Sequence, residues 1–243
     1  MNNFDYKLII IFVGLPASGK SYTSHHINQY LNWLGYKTKI FNCGNYRRLL
    51  TNQNQQADFF NTNNNDNFKL KESFFYYSMF DLNNYLKYNK GKVGILDATN
   101  STKLRRKKIN KFFSLFNYKK RIIFLENITD DQNILQKNIT FKKNSPDYIH
   151  ISIDEMKADF KKRLNYYNNV YESINDNENI NYMKIFNCGK KVTYNNIYGQ
   201  SLVDVNGTTY LFITLDDFNN NKPSNVVIAA AEPVTSGFSL PAY

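Results

Sequence analysis

"KLIIIFVGLPASGKSYTS", residues 7–24, runs from an apolar stretch into a glycine-bounded turn that ends in Gly-Lys-Ser. Residues 7–13 read as a buried strand, a short β-rich apolar run closed by Gly14 and Pro16. From about Lys20, the spacing of Ile27, Tyr30, Leu31 and Leu34 predicts a helix, with Gly35 as its C-terminal stop. Between strand and helix, Gly14-Leu15-Pro16-Ala17-Ser18-Gly19-Lys20-Ser21 satisfies G-x-x-x-x-G-K-[ST]. Glycines let successive N–H groups turn inward onto an anion, and the following helix adds its positive end. Lys20 is then expected on the β- and γ-phosphates of a nucleotide, and the Ser21 hydroxyl on Mg2+. The flanking strand and helix separate this reading from a chance glycine turn.

Outward from the loop, strand and helix alternate. "YKTKIFNCG" predicts a second strand ending at Gly44, and "FKLKESFFYYSMFDLNNYLKY" a long helix. "KVGILDATN" predicts a third strand with Asp97 at its end, "STKLRRKKINKFFSLF" a helix, "KRIIFLE" a strand and "DDQNILQKNI" a short helix. "DEMKADFKKRLNYYNNVYESI" completes the set with a further helix, and "NYMKIFNCG" with a last strand. The alternation predicts an α/β fold of P-loop NTPase type: a three-layer α/β/α sandwich around a mostly parallel sheet. Ligands of such sheets bind beyond the carboxyl ends of the strands. Gly14, Gly44, Asp97 and Gly189 are all expected there. "KIFNCG" occurs at 39–44 and again at 184–189; two strands with the same need for a small residue and a turn account for it.

Length and composition set the bounds. With 243 residues, the chain suits one large domain, or a domain with an appendage. The formal charge of +11 favours anionic partners, from nucleotides and sugar phosphates to nucleic acid, without choosing among them. Two cysteines, Cys43 and Cys188, exclude a disulfide framework and fit a reducing compartment. "MNNFDYK" lacks the layout of a secretory signal, and no apolar run suits a membrane helix. The expectation is a soluble, cytoplasmic protein with no membrane partner. From about Ser201 the chain changes character: "VDVNGTTYLFIT" predicts a hairpin around Asn206-Gly207, followed by a nearly uncharged end.

Asp97 is the natural second half of the phosphate loop. A carboxylate there can hold Mg2+ or orient an attacking hydroxyl. The acceptor is suggested by arginines expected at the mouth of the site, in "GNYRRLL", "ATNSTKLRRKK" and "DFKKRLNYY". Guanidinium groups grip phosphate in pairs, so their convergence near a γ-phosphate suggests an acceptor that is itself anionic.

At these residues the chain resembles the kinase domain of the 6-phosphofructo-2-kinase/fructose-2,6-bisphosphatase family. The similar stretches are "VGLPASGKSY", "YLNWLGYKTKIFNCGNYRR", "DFF", "LDATNSTKLRR", "SPDY", "DFKKRLNYY" and "KIFNCG", in the family's order from about residue 7 to 195. The resemblance implies transfer of the ATP γ-phosphate to the 2-hydroxyl of fructose 6-phosphate, with Mg2+ and no nucleic acid. It implies ATP contacts along Gly14, Leu15, Pro16, Ala17, Ser18, Gly19, Lys20, Ser21 and Tyr22, and Asn138 near the adenine. It implies sugar-phosphate contacts from Arg47, Lys71, Thr99, Arg105, Arg163 and Tyr167. Lys20 and Asp97 match active-site positions. A second lysine on the ATP phosphates is Lys142 or Lys143, and counting from either side leaves the two open. The kinase-like part is expected over residues 1–200, with 201–243 as an extension.

Several positions depart from the family. Ser18 stands where many members have Arg, Lys71 where the family has Arg, and Thr129 where it has Cys. The phosphatase signature Arg-His-Gly does not occur, the three histidines being His25, His26 and His150. A kinase without the opposing phosphatase is therefore expected. His25 and His26 read as ordinary helix residues. Two other readings stand beside this one: a P-loop kinase acting on nucleic-acid ends or another phosphorylated metabolite, and a nucleotide-binding module without transfer.

Overall fold

A computed structural model describes residues 6–51, 57–61 and 65–195, and the backbone of 200–205, 208–214 and 225–229. The central sheet holds β1 (Lys7–Val13), β2 (Thr38–Asn42), β3 (Val93–Asp97), β4 (Lys120–Ile128), β5 (Tyr182–Phe186) and β6 (Lys191–Asn195) in the order β2-β3-β1-β4-β5-β6. The first five are mutually parallel, and β6 is antiparallel to β5. The helices are α1 (Lys20–Trp33), α2 (Cys43–Thr51), α3 (Asn65–Tyr88), α4 (Lys103–Ser114), α5 (Gln132–Phe141) and α6 (Ile153–Asn168). The mostly parallel α/β sheet expected from the alternation is present.

The apolar run of β1 explains its place at the centre. A strand's side chains alternate between faces, and a sheet covered on both faces needs both sets apolar. Leu8, Ile10 and Phe12 join one core with Ile27 and Leu31 of α1. Ile9, Ile11 and Val13 join the other with Met79, Leu82 and Leu86 of α3 and Ile109 and Phe113 of α4. Each such side chain contributes about 1.5–3 kcal/mol on burial. A third cluster, Ile139, Tyr148, Met156 and Phe160, packs α5 and α6 under Ala17 of the loop.

The two "KIFNCG" copies adopt different structures. In the first, β2 stops at Asn42 and Cys43 opens α2, so Gly44 lies inside a helix rather than at a strand end. In the second, Asn187, Cys188 and Gly189 form a tight turn with φ of 48°, 58° and 99°. The residues C-terminal to each copy decide its structure: "NYRRLL" can continue a helix, whereas "KKVTYN" is β-rich and returns as β6. The last strand of the sheet is thus β6, one beyond the expected β5. The helix expected to reach Ile174 ends at Asn168. Beyond it, the buried Glu126 carboxylate accepts the Ile174 N–H at 3.2 Å and the Tyr171 hydroxyl, which ties the chain down in extended form.

A second, three-stranded antiparallel sheet holds β7 (Gln200–Val205), β8 (Thr208–Thr214) and β9 (Asn225–Ala229). Val205 pairs with Thr208, as a two-residue hairpin requires. Asn206 and Gly207 themselves lie outside the described residues.

Candidate active site

The loop between β1 and α1 is shaped by backbone freedom and by neutral partners. Gly14 has φ of 140°, Ala17 of 60° and Gly19 of 89°. A Cβ on Gly14 would stand 2.4 Å from the Asn127 carbonyl oxygen, so only glycine fits. Gly14 donates its N–H to the Thr99 carbonyl at 2.9 Å, and the Asn100 amide donates to the Phe12 carbonyl at 2.7 Å. The "DATN" segment after β3 is therefore bolted beneath the loop. From the other side, the Asn138 amide donates to the Ala17 carbonyl at 2.8 Å and the Thr129 hydroxyl to the Ser18 carbonyl at 3.4 Å.

Helix ends show why an anion belongs here. Thr102, Asp131 and Ser152 cap α4, α5 and α6 with side-chain oxygens. Gly19, at the head of α1, offers no such cap, and no acidic residue stands in the first turn. The N–H groups at that end thus keep their capacity for a phosphate. Tyr22 lies in this first turn, its ring 4.3 Å from that of His26. His25 and His26 are helix residues, as expected.

Lys20 is buried, and its ammonium donates to the Leu15 carbonyl at 2.5 Å and the Ser18 hydroxyl at 3.3 Å. Burial brings its pKa down to about 7; Asp97 pulls it up, while Lys142 and Arg163 push it further down. Asp97, buried at the end of β3, accepts from the Asn42 amide at 2.6 Å. Asn42 faces Asp97 in the β2–β3 register, so two adjacent strand ends position the carboxylate.

Lys142 and Lys143 separate cleanly. Lys143 donates to the carbonyls of Tyr148, Ile149 and Ile151 at 3.0, 3.1 and 2.6 Å, which ties down the turn before α6. The Lys142 ammonium is lowered in pKa by burial, is raised by Asp97, and feels Arg163 and Arg48. Of the pair, Lys142 shares the electrostatic neighbourhood of Lys20.

Phe59, Phe60 and Phe74 form a separate aromatic cluster. Arg163 lies over the Phe60 ring at 3.8 Å and Arg47 over the same ring at 5.4 Å. Tyr167 packs against Phe60 with ring centroids 5.9 Å apart. Arg47 is buried and donates to Asp147 at 2.5 Å; Arg48 reaches the same oxygen at 3.3 Å. Lys71 donates to the Phe60 and Asn61 carbonyls, both at 3.4 Å. Arg105 stacks 3.9 Å over Phe75 and is ion-paired with Glu72. Arg105 and Asp97 both act on the Cys43 thiol, which burial pushes up to about 11. Arg47 and Arg105 each keep a buried guanidinium nitrogen without a hydrogen-bond partner, and so does Arg163. Such orphaned donors are costly unless a ligand meets them. Thr99 is half-buried and accepts the Gly14 N–H through its carbonyl.

Lys20, Asp97, Lys142 and Arg163 thus share one electrostatic neighbourhood, and Arg163 and Arg47 share the Phe60 ring. Sequence reasoning assigned no role to Asn42, Asp147, Glu72, Phe60 or Phe75. Asn42 in "KIFN", Phe60 in "DFF" and Asp147 in "SPDY" stand in the family-like stretches, but their partners lie far along the chain, and Glu72 and Phe75 carry no such signal. Arg106, one residue from Arg105, points elsewhere. It is fully buried and forked onto Glu178 by two 2.7 Å hydrogen bonds. Among the described residues, no group of three or more His, Cys, Asp or Glu could hold a metal ion. One carboxylate, Asp97, and one hydroxyl, Ser21, fit Mg2+ that arrives on a nucleotide's phosphates and keeps most of its water.

The family model of 6-phosphofructo-2-kinase matches residues 1–207. Among curated proteins, the chain is 38% identical over 192 residues to a 6-phosphofructo-2-kinase/fructose-2,6-bisphosphatase of Aquarana catesbeiana, covering 78% of this chain and 40% of that one. It is 38% identical over 197 residues to 6-phosphofructo-2-kinase 1 of Saccharomyces cerevisiae, covering 79% and 24%. Over 198 residues it is 38% identical to a 6-phosphofructo-2-kinase/fructose-2,6-bisphosphatase of Arabidopsis thaliana, covering 80% and 26%. The chain spans two-fifths or less of the length of these relatives. Solved structures similar in part include the Mycobacterium tuberculosis APS kinase CysC in complex with AMPPNP and APS, at 16% identity and a TM-score of 0.42, covering 63% of this chain and 77% of that one. A likeness of that degree carries no argument. The length of the family match and the identity to its members settle the membership: the chain belongs to the 6-phosphofructo-2-kinase family.

Proposed function

We propose that this chain is an ATP-dependent kinase that transfers the γ-phosphate to the 2-hydroxyl of fructose 6-phosphate, giving fructose 2,6-bisphosphate. The observation that carries the reading is the electrostatic reach of the loop lysine. Lys20 feels both Lys142 and Arg163, and Arg163 shares the Phe60 ring with Arg47. A nucleotide cradle and a cationic cup that act on one another suit two anionic substrates that must meet despite their repulsion.

Each group has a role in this reading. The loop N–H groups and the head of α1 receive the β- and γ-phosphates. Lys20 leaves its Leu15 and Ser18 partners to follow the charge of the moving phosphoryl group, and Lys142 adds a second cation. Asn138 and Thr129 hold the loop carbonyls away from the anion. Asn138 thereby acts on the loop as well as standing near the expected adenine position. Asp97, fixed by Asn42, orients the acceptor hydroxyl and takes its proton as the new oxygen–phosphorus bond forms and the bond from the γ-phosphorus to the β-phosphate oxygen breaks, releasing ADP. Arg47, Lys71, Arg105, Arg163, Tyr167 and Thr99 hold the sugar phosphate so that its 2-hydroxyl lies in line. Mg2+, held by Ser21, Asp97 and the phosphates, would neutralise charge on the transferring group. Lys71 offers a point charge without a planar fork, which lowers its grip on phosphate.

Arg47 and Arg163 lie over Phe60 and Arg105 over Phe75, so these cations are seated on aromatic rings. That favours a small anionic metabolite over a nucleic-acid end. Cys43 and Cys188 are free thiols, which suits a reducing compartment such as the cytoplasm. Among the described residues, no helix is long and apolar enough to cross a membrane.

The test is a product assay with ATP, Mg2+ and a panel of hexose phosphates, with the phosphorylated position read by NMR. A new phosphoryl group on C2 of fructose 6-phosphate is the expected product. ATP binding without transfer to any hexose phosphate would leave a nucleotide-binding module instead.

A further inference from the structure

We infer that Glu72 sets the affinity of the acceptor side by competing with the incoming phosphate for Arg105. The inference rests on the acceptor reading above. Glu72 lies on α3, beside Lys71, and both of its carboxylate oxygens are engaged. One accepts from Nη2 of Arg105, and the other accepts from Lys108 at 2.9 Å. The Arg105 and Glu72 side chains are only 19% and 14% exposed. The other terminal nitrogen of Arg105, Nη1, is buried with no hydrogen-bond partner. Phe75 covers one face of the guanidinium at 3.9 Å.

An arginine binds phosphate best through two parallel N–H donors. Here one arm is taken by a carboxylate and the ring fixes the plane, so the fork cannot turn away to present a different edge. A phosphate must either settle for the single free arm or displace Glu72. In either case, the negative charge of Glu72 stands against the same guanidinium that the phosphate approaches. Burial and Arg105 disfavour the charged form of Lys71, while the Glu72 carboxylate favours it. Arg47 has a comparable partner in Asp147, which is 7% exposed against 14% for Glu72 and is likewise shared, with Arg48. Glu72 is therefore a positioning residue that tunes the site rather than a group that touches the reacting atoms.

The experiment titrates fructose 6-phosphate into the protein with a non-hydrolysable ATP analogue present, in the unaltered chain, Glu72→Gln, Arg105→Ala and the double variant, alongside steady-state kinetics. The neutral amide keeps the size and one acceptor oxygen but removes the charge. Glu72→Gln is expected to tighten sugar-phosphate binding about three- to tenfold and to lower its KM by the same factor. KM for ATP and kcat should stay within about twofold. In the Arg105→Ala background the same change should give no gain, because the contested group is gone. Weaker or unaltered binding in Glu72→Gln, with Arg105→Ala still impaired, overturns the inference and leaves the acceptor reading standing. Unaltered binding in Arg105→Ala overturns that reading and the inference with it. A gain in the double variant equal to that in the single one would also overturn the inference, since the effect would then not pass through Arg105.

Discussion

The donor loop, residues 14–21, is held by neutral groups. The Thr99 carbonyl holds the Gly14 N–H and the Asn100 amide the Phe12 carbonyl just before the loop, while the Asn138 amide and the Thr129 hydroxyl hold loop carbonyls from the other side. The acceptor cup is held by ions and rings: Arg47 on Asp147, Arg105 on Glu72, Arg163 on Phe60. The difference has a consequence for chemistry. Neutral partners leave the positive potential of the loop undiminished for phosphate. In the proposed reading, ionic partners are shared or displaced when an acceptor arrives, so acceptor affinity is expected to be more adjustable than donor affinity. The rings offset part of this, because a guanidinium over an aromatic face gains about 0.5–2 kcal/mol without spending its hydrogen-bond donors.

The largest expected effect breaks the donor side. Lys20→Met should lower kcat by roughly 10²–10³-fold, in the range seen when one preorganised charge-stabilising group is removed. Its circular dichroism and melting curve should stay near those of the unaltered chain, since Met fills a similar buried volume and keeps the apolar stem. Full turnover in this variant would remove Lys20 from the transfer step.

On the acceptor side, Arg105→Ala should raise KM for fructose 6-phosphate about tenfold to a hundredfold, with KM for ATP nearly constant. A rise confined to ATP would mean that the two halves have been drawn with the wrong border. Gly14→Ala should show how little slack the neutral scaffold has. The new Cβ would meet the Asn127 carbonyl at 2.4 Å and the Ser18 hydroxyl at 2.8 Å, so a loss of about 1–3 kcal/mol in denaturant unfolding is expected. A variant as stable as the parent would show that the loop can yield.

The smallest effect is a proton. With a pKa near 7 against an ordinary 10.5, Lys20 is largely neutral in the folded protein at about pH 8 and charged in the unfolded chain. The unfolded state therefore binds more protons between about pH 7 and 10.5, and this group makes stability rise with pH across that window. Nucleotide phosphates restore the charge. Binding of an ATP analogue near pH 8 should take up as much as about one proton, measured by calorimetry in buffers of different ionisation enthalpy. The uptake should fade toward pH 6 and shrink in Lys20→Met. No uptake at pH 8 would mean that the ammonium is already charged in the free protein.

The same contrast governs what could be read from the sequence. The donor loop is eight contiguous residues between a strand and a helix, so its pattern is local and legible. The β1 run and the positions of α1, α3, α4 and α5 were legible for the same reason. Arg105 and Arg106 are adjacent in one basic run, yet one faces the cup and the other is buried on Glu178, 72 positions away. Helical rotation decides between them, and the register of that rotation comes from packing rather than from composition. Asp147 and Glu72 gain their meaning from partners 100 and 33 residues distant. The two "KIFNCG" copies show the limit most clearly: the same six residues begin a helix in one place and a turn in the other. Lys142 and Lys143 could not be ordered by counting, because what distinguishes them is spatial: the carbonyls of Tyr148, Ile149 and Ile151 around Lys143, and Asp97 and Arg163 near Lys142.

The central claim is that the nucleotide cradle and the cationic cup share one space. Paramagnetic relaxation tests it most directly, with Mn2+ in place of Mg2+ on a bound non-hydrolysable ATP analogue and carbon-labelled fructose 6-phosphate beside it. The account predicts strong relaxation of the sugar's C2 carbon and weaker relaxation of the C6 phosphorus, which the arginines hold on the far side of the cup. Stronger relaxation at the C6 phosphorus, or none at either atom, would contradict it.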